Sequence, residues 1–127
     1  MAFVQKEFTT PPPLPAPGTS PDSASAKPWY LVTAGIWELL LNGDAEHKAV
    51  LQWWEPYTAT TNQPITHTFT EEVCVLKGGL KDLMLGKRWG IGAYAYRKPG
   101  MEHGPYVASD EGCLMFVKVV PASAEND

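Results

Sequence analysis

The sequence predicts an all-β domain closed into a barrel, and three observations carry that expectation. Short apolar runs recur from Trp29 onward at roughly the 8–12 residue spacing of sandwiches and barrels. Turn-forming residues separate them, at Asn42-Gly43-Asp44, Gly78-Gly79, Gly86-Lys87, Trp89-Gly90-Ile91-Gly92 and Pro99-Gly100. No segment offers a helix of useful length, and only Ile36–Leu41 is an apolar run that fits either structure. Closing such strands into a barrel or double-sheet jelly roll removes exposed edges. It also leaves an interior wide enough for one small ligand.

The elements follow in order. Pro11, Pro12, Pro13, Pro15, Pro17, Pro21 and Pro28 fall in residues 1–28, amid Ser, Thr, Ala and Gly. Proline removes backbone donors and favours polyproline II, so this segment reads as an extended arm. The Pro11–Pro15 run could serve a proline-recognising module. No basic residue flanks it closely, and an arm lying along its own domain or across a dimer mate is preferred. Strands are expected at Trp29–Val32, Gly35–Leu41, Ala49–Trp54, Pro64–Phe69, Glu72–Leu76, Leu80–Leu85, Ala93–Arg97 and Cys113–Val120. Residues 29–122 thus form the barrel domain and 123–127 a flexible tail.

Composition narrows the function classes. A chain of 127 residues that is 44% hydrophobic and 19% charged fits one domain with a compact core. Fourteen acidic against ten basic side chains give a net charge of −4, with no basic run, which argues against a nucleic-acid partner. Nothing reaches the roughly 20 apolar residues of a membrane span. Met1–Thr10 lacks the basic and apolar segments of a secretory signal. Cys74 and Cys113 have no C-x-x-C spacing and sit in apolar runs, so buried, reduced thiols and a cytoplasmic protein are expected.

The chemistry is expected at His67, Glu71 and His103. A tight connection at Thr68-Phe69-Thr70 would set the His67 and Glu71 side chains together at one end of the barrel. If Glu71 points inward, alternation sends Val73 and Val75 inward with it and turns Glu72 out. His103 follows the Pro99-Gly100 turn and could converge on the same point. Two imidazoles and a carboxylate suit a divalent metal with open positions. Without metal, a histidine could act as general base. His47, in Asp44-Ala45-Glu46-His47-Lys48, reads as part of a surface turn.

These residues carry a family resemblance. Ile65-Thr66-His67-Thr68-Phe69-Thr70-Glu71, followed by Gly78, resembles the first cupin motif, H-x-H, three or four residues, E, six residues, G. Gly92 followed by Lys98-Pro99-Gly100-Met101-Glu102-His103 resembles the second, G, five residues, P-x-G-x-x-H. Tyr94-Ala95-Tyr96-Arg97, His103-Gly104-Pro105 and Glu111-Gly112-Cys113-Leu114 are similar to the ChrR-like cupins. The resemblance covers about residues 36–120 and implies a double-stranded β-helix with a metal held by His67, Glu71 and His103. Cupin sites usually have three histidines and a glutamate, and here Ile65 replaces the first histidine. The remaining set matches a 2-His-1-carboxylate site, for which Fe, Zn, Mn, Ni and Cu all qualify.

Aromatic residues are expected to wall the ligand cavity. Trp53 and Trp54 must face opposite sides of their strand, and one of the pair lines the cavity. Phe69, Tyr94, Tyr96 and Met115 complete the expected wall, which suits a flat apolar substrate better than a sugar phosphate. Arg88, Arg97 and Lys98 are too scattered for a phosphate clamp.

The resemblance implies a metal-dependent enzyme first, an oxygenase, decarboxylase or lyase acting on an aromatic, polyketide-like or keto/enol substrate. A metal-free isomerase or cyclase using His67 or His103 as base comes second, and a non-catalytic binding domain third. A homodimer is expected because cupins commonly pair through sheet edges.

Overall fold

The computed structural model describes residues 3–122, and the tail expected at 123–127 lies outside them. Among the described residues seven strands run in chain order: β1 (Tyr30–Thr33), β2 (Ile36–Gly43), β3 (Lys48–Trp54), β4 (Thr70–Asp82), β5 (Lys87–Trp89), β6 (Tyr94–Arg97) and β7 (Tyr106–Val120). Every pairing is antiparallel, in the order β1-β2-β3-β7-β4-β5, with β6 added against β4. No helix among the described residues is long and apolar enough to cross a membrane.

Alternation divides the apolar side chains between two cores. Val50, Trp54, Val73, Val75, Leu80, Met115 and Val117 form the inner one, on the concave side of the sheet. Trp37, Leu39, Leu51 and Trp53 point the other way and gather with Ala26 and Trp29 into an outer cluster, against which Leu14 packs. Residues 3–28 contain no strand or helix and run over this outer face. Asn42 grips the arm by bonds to both the N–H and the carbonyl of Val4, and Lys6 Nζ donates to the Leu41 carbonyl at 2.8 Å. The Trp29 indole donates to the Pro12 carbonyl.

Several expected elements differ, among them the last strand, which begins at Tyr106 and not at Cys113. Pro64–Phe69 is not a strand: Pro64 has no N–H to donate, and within the run only Ile65 makes a β-bridge, a two-way one to His103. Gly78-Gly79 is not a turn. It lies inside β4, joining two runs expected to be separate strands, at a point where the register with β7 shifts. A Cβ on Gly78 would come within 2.0 Å of the Gly112 carbonyl oxygen, so close backbone approach is what requires glycine there. Lys87–Trp89, expected within turn residues, forms the short edge strand β5.

The β4–β5 turn shows how local chemistry shapes the cavity mouth. Asp82 is buried, and its Oδ1 accepts from the N–H groups of Met84 and Leu85 at 3.0 Å each. The turn thereby holds Leu83, Met84 and Leu85 outward in solvent.

Candidate metal centre and ligand cavities

Two loops and two strands bring the three candidate ligands together. The Ile65–His103 bridge draws the loop before β4 against the loop before β7. The Gly100 N–H donates to the His67 carbonyl at 2.9 Å, tying the two loops a second time. Glu71 lies in β4 opposite Arg97 of β6 and Val119 of β7. Val73 and Val75 follow it into the inner core, while Glu72 faces out and accepts a hydrogen bond from the Tyr94 hydroxyl.

The donor atoms of His67, Glu71 and His103 all lie within 4.8 Å of one another. The two imidazole Nε2 atoms are 3.3 Å apart, and His67 Nε2 is 3.5 Å from Glu71 Oε1. His67 is oriented from behind: Nδ1 lies 3.0 Å from the Phe69 carbonyl, which can only accept, so Nδ1 carries the proton and Nε2 presents a lone pair. The Phe69 ring stacks on the imidazole at 4.0 Å, fixing its plane.

Arg97 and Tyr106 complete the cluster. Arg97 Nη1 donates to Glu71 Oε1 at 2.7 Å, and Nη2 donates to the Tyr106 hydroxyl at 2.9 Å. That hydroxyl is 3.2 Å from His103 Nδ1. Burial first, and then the Arg97 charge, pull the His103 pKa down to about 4, so its ring is neutral near pH 7. Burial pushes the Tyr106 phenol above its ordinary value.

These residues fit a divalent ion. Two ligands at 2.0–2.1 Å and a tetrahedral angle sit about 3.3 Å apart, which matches the Nε2 pair. Ligating histidines usually donate their second N–H to a carbonyl or carboxylate, as His67 does to Phe69. Ile65, at the position of the missing histidine, packs partly buried on the inner core.

Two cavities border this cluster, His103 lining one and Glu71 the other, while His67 lines neither. The first, about 490 Å³, is walled by Val73, Val75, Leu80, Ala93 and Met115, with Arg97, His103 and Tyr106 at its polar end and Met84, Leu85, Trp89 and Met101 around its mouth. The second, about 590 Å³, is bordered by Glu71, Phe69, Val117 and Val119 and by the polar side chains of Glu38, Lys48 and Gln52. Glu38 is buried there, bonded to Lys48, Gln52 and the Tyr30 hydroxyl. Partial burial of the Tyr30 phenol itself, and then the Glu38 carboxylate it bonds, push the Tyr30 pKa up to about 12.

The expected wall residues are distributed unevenly. Met115 and Tyr94 border the first cavity, and Phe69 borders the second. Trp53 corrects the expectation, because alternation puts it in the outer cluster beside Trp37. Trp54 faces inward but is packed into the inner core against Tyr106 and borders neither cavity. Tyr96 borders neither as well: with Tyr94 it lies on the exposed side of β6, while Ala95 and Arg97 take the inner side. His47 sits in the β2–β3 turn, its ring 4.9 Å from Phe3. Arg97 and Tyr106 were not among the expected site residues. The inward parity of Arg97, two places after Ala95 on a strand beside Glu71, was the signal available for it.

Comparison with known proteins agrees with this architecture. Residues 23–123 match the ChrR Cupin-like domain family. A search of curated protein sequences finds no match. Among solved structures, KdgF from Halomonas sp. is 18% identical with a TM-score of 0.58, the match covering 72% of this chain and 84% of that one. The anti-sigma ChrR of Rhodobacter sphaeroides, seen in complex with SigE, is 23% identical with a TM-score of 0.59; the match covers 72% of this chain and 49% of that one, about half its length. The polyketide cyclase RemF from Streptomyces resistomycificus is 23% identical with a TM-score of 0.52, over 68% of this chain and 65% of that one. Identities this low establish the shared cupin fold and leave the chemistry to the site. The family match spans most of the chain, which therefore belongs to the ChrR Cupin-like domain family.

Proposed function

We propose that the protein is a small-molecule enzyme in which His67, Glu71 and His103 hold one divalent metal ion, drawn from Fe, Zn, Mn, Ni or Cu. The observation that carries this reading is the Nε2–Nε2 separation of 3.3 Å, with the His67 ring locked so that its lone pair points into the gap. When bound, such an ion supplies Lewis-acid or dioxygen chemistry at a substrate oxygen. The chain's own residues set the conditions. Phe69 fixes His67 by its carbonyl and its ring. Arg97 orients Glu71 and compensates its charge. The apolar walls of the first cavity keep water from the reacting atoms and favour an aromatic, polyketide-like or keto/enol substrate in an oxygenase, decarboxylase or lyase reaction.

Elemental analysis of the purified protein tests this reading. Stoichiometric metal that is lost in His67→Ala, with the thermal transition retained, is the expected result. Metal-free protein whose turnover withstands chelation would overturn it.

A second reading has its own support. Ile65 removes one of the usual ligands, and the 2.7 Å ion pair occupies Glu71 Oε1 with Arg97. In that reading neutral His103 is the general base of an isomerase or cyclase. It requires that His103→Ala abolish a turnover that chelators leave intact.

A further inference from the structure

We propose that Arg97 selects the ligand of the first cavity, donating hydrogen bonds to the carbonyl or enol oxygen of an uncharged molecule whose apolar body lies along Val73, Val75, Leu80 and Met115. This rests on the reading of the His67–Glu71–His103 cluster as the reacting centre and names the substrate class for it.

Arg97 is the sole lysine or arginine among the described residues bordering that cavity. A guanidinium has five N–H donors, and protein acceptors take two of them, at Glu71 Oε1 and the Tyr106 hydroxyl. The side chain is only 12% exposed. Both Nη atoms have protein partners, whereas Nε has none and is not among the fully buried unpartnered atoms of the described residues. Nε is therefore an accessible donor on a side chain that borders the first cavity. Pinned at both ends of its fork, the guanidinium is already oriented and loses little freedom on binding a ligand oxygen.

Charge decides what kind of oxygen it takes. Glu71 already compensates Arg97 at 2.7 Å, and Asp82 and Glu102 border the same cavity. Without a bound ion, a carboxylate ligand would meet that net negative lining, whereas a ketone or enol gains the hydrogen bonds without the repulsion. The remaining wall is mostly apolar, from Val73, Val75, Leu80 and Met115 with Tyr94 and Trp89, and Met84, Leu85 and Met101 continue it as exposed apolar surface at the mouth. Uncharged, apolar and oxygen-tipped is the ligand these surfaces describe.

The test compares 2-acetylnaphthalene with 2-isopropenylnaphthalene, in which the carbonyl becomes a methylene of the same shape, and with 2-naphthoate. Binding is followed by tryptophan fluorescence on the full chain, as purified and after chelation, with metal measured on the same samples. The ketone should bind at least about tenfold tighter than the alkene, the value of a hydrogen bond from a charged donor, and tighter than the carboxylate after chelation. Arg97→Met should erase the ketone-over-alkene preference. Should that variant fail to fold, Arg97→Met combined with Glu71→Gln removes the ion pair as a unit and should give the same loss. Equal binding of ketone and alkene by the native chain, a preference that survives the substitution, or tighter naphthoate binding after chelation overturns the proposal. A preference that depends on Arg97 in protein found free of metal keeps this inference while the metal reading falls.

Discussion

The Tyr106 hydroxyl has two neighbours of different kinds. Arg97 can only donate to it, so one oxygen lone pair is taken, and His103 Nδ1 meets what remains. If Nδ1–H donates to the tyrosine oxygen, His103 Nε2 is left as a lone pair facing His67 and ready for a ligand. If the hydroxyl donates instead, His103 carries its proton on Nε2, where it bonds His67 Nε2 across the 3.3 Å gap. Tyr106 is thus a positioning residue that helps set the histidine tautomer. On the proposed metal reading, Tyr106→Phe should weaken metal binding about 10–100-fold, as loss of an outer partner does, while keeping the edge contact with Trp54. Competition with a chromogenic chelator measures it, and unchanged affinity would remove Tyr106 from the ligand shell. Cys113 makes a separate prediction, on pH. It is fully buried, and burial raises its pKa from 9.0 to about 12. A thiol that ionises more easily unfolded than folded contributes stability below pH 9 and loses it as pH rises towards 12. Urea midpoints should fall over that window, less steeply in Cys113→Ala. Native thiol titration near neutral pH should find Cys74 alone, with Cys113 appearing only on denaturation.

Among the elements, β4 and β7 decide how far the sequence could be read. Their alternation was legible: Val73 and Val75 with Glu71 on one face and Glu72 on the other follow from a period of two. The length of each strand was not, because the glycines inside them carry the same local signal as turn glycines. Gly78 has φ +68° and Gly112 φ +78°, both values typical of turns, yet each lies within a long strand. What separates them from Gly86 is tertiary. A Cβ on Gly112 would stand 2.3 Å from the Trp53 ring and 2.5 Å from the Trp54 carbonyl oxygen, whereas one on Gly86, at φ +66°, meets nothing within 4 Å. Gly86→Ala should therefore cost only the left-handed backbone penalty, about 1–2 kcal/mol. Gly112→Ala adds overpacking of the tryptophan pair, for a total of about 3 kcal/mol or more. Denaturant midpoints of the two variants check the ordering, and equal losses would mean that the close packing of β7 on β3 carries no energetic weight. The same tertiary argument explains the missed Arg97. Counted along the chain it is a scattered basic residue, and only the pairing of β6 with β4 sets it against Glu71.

At the scale of the whole molecule, the two faces of one sheet do different work. The concave side holds the cavities and the candidate centre, where motif spacing had grouped His67, Glu71 and His103 before any pairing was known. The convex side carries Trp37, Leu39, Leu51 and Trp53, and there sequence reasoning stopped short: the Trp53-Trp54 split was legible, but not which ring faced which way. Parity along β3 settles that, and the arm is what makes an outward Trp53 tolerable. Trp37 is 1% exposed and Trp53 5%, with Ala26 and Leu14 supplied by residues preceding the first strand. Deleting residues 1–28 should uncover this face. At about 1.5–3 kcal/mol per large side chain returned to water, the truncated chain should lose about 2–4 kcal/mol of stability and bind a hydrophobic dye. Chemical denaturation paired with light scattering distinguishes two roles for the arm. An arm that covers its own sheet gives a loss of stability at every protein concentration, because the tryptophans are exposed within each molecule. An arm that instead bridges to a dimer mate gives a loss that depends on concentration and a change from dimer to monomer on truncation. The arm reaches its own sheet, with Asn42 bonded to Val4 and Lys6 to Leu41, so the concentration-independent loss is the expected result.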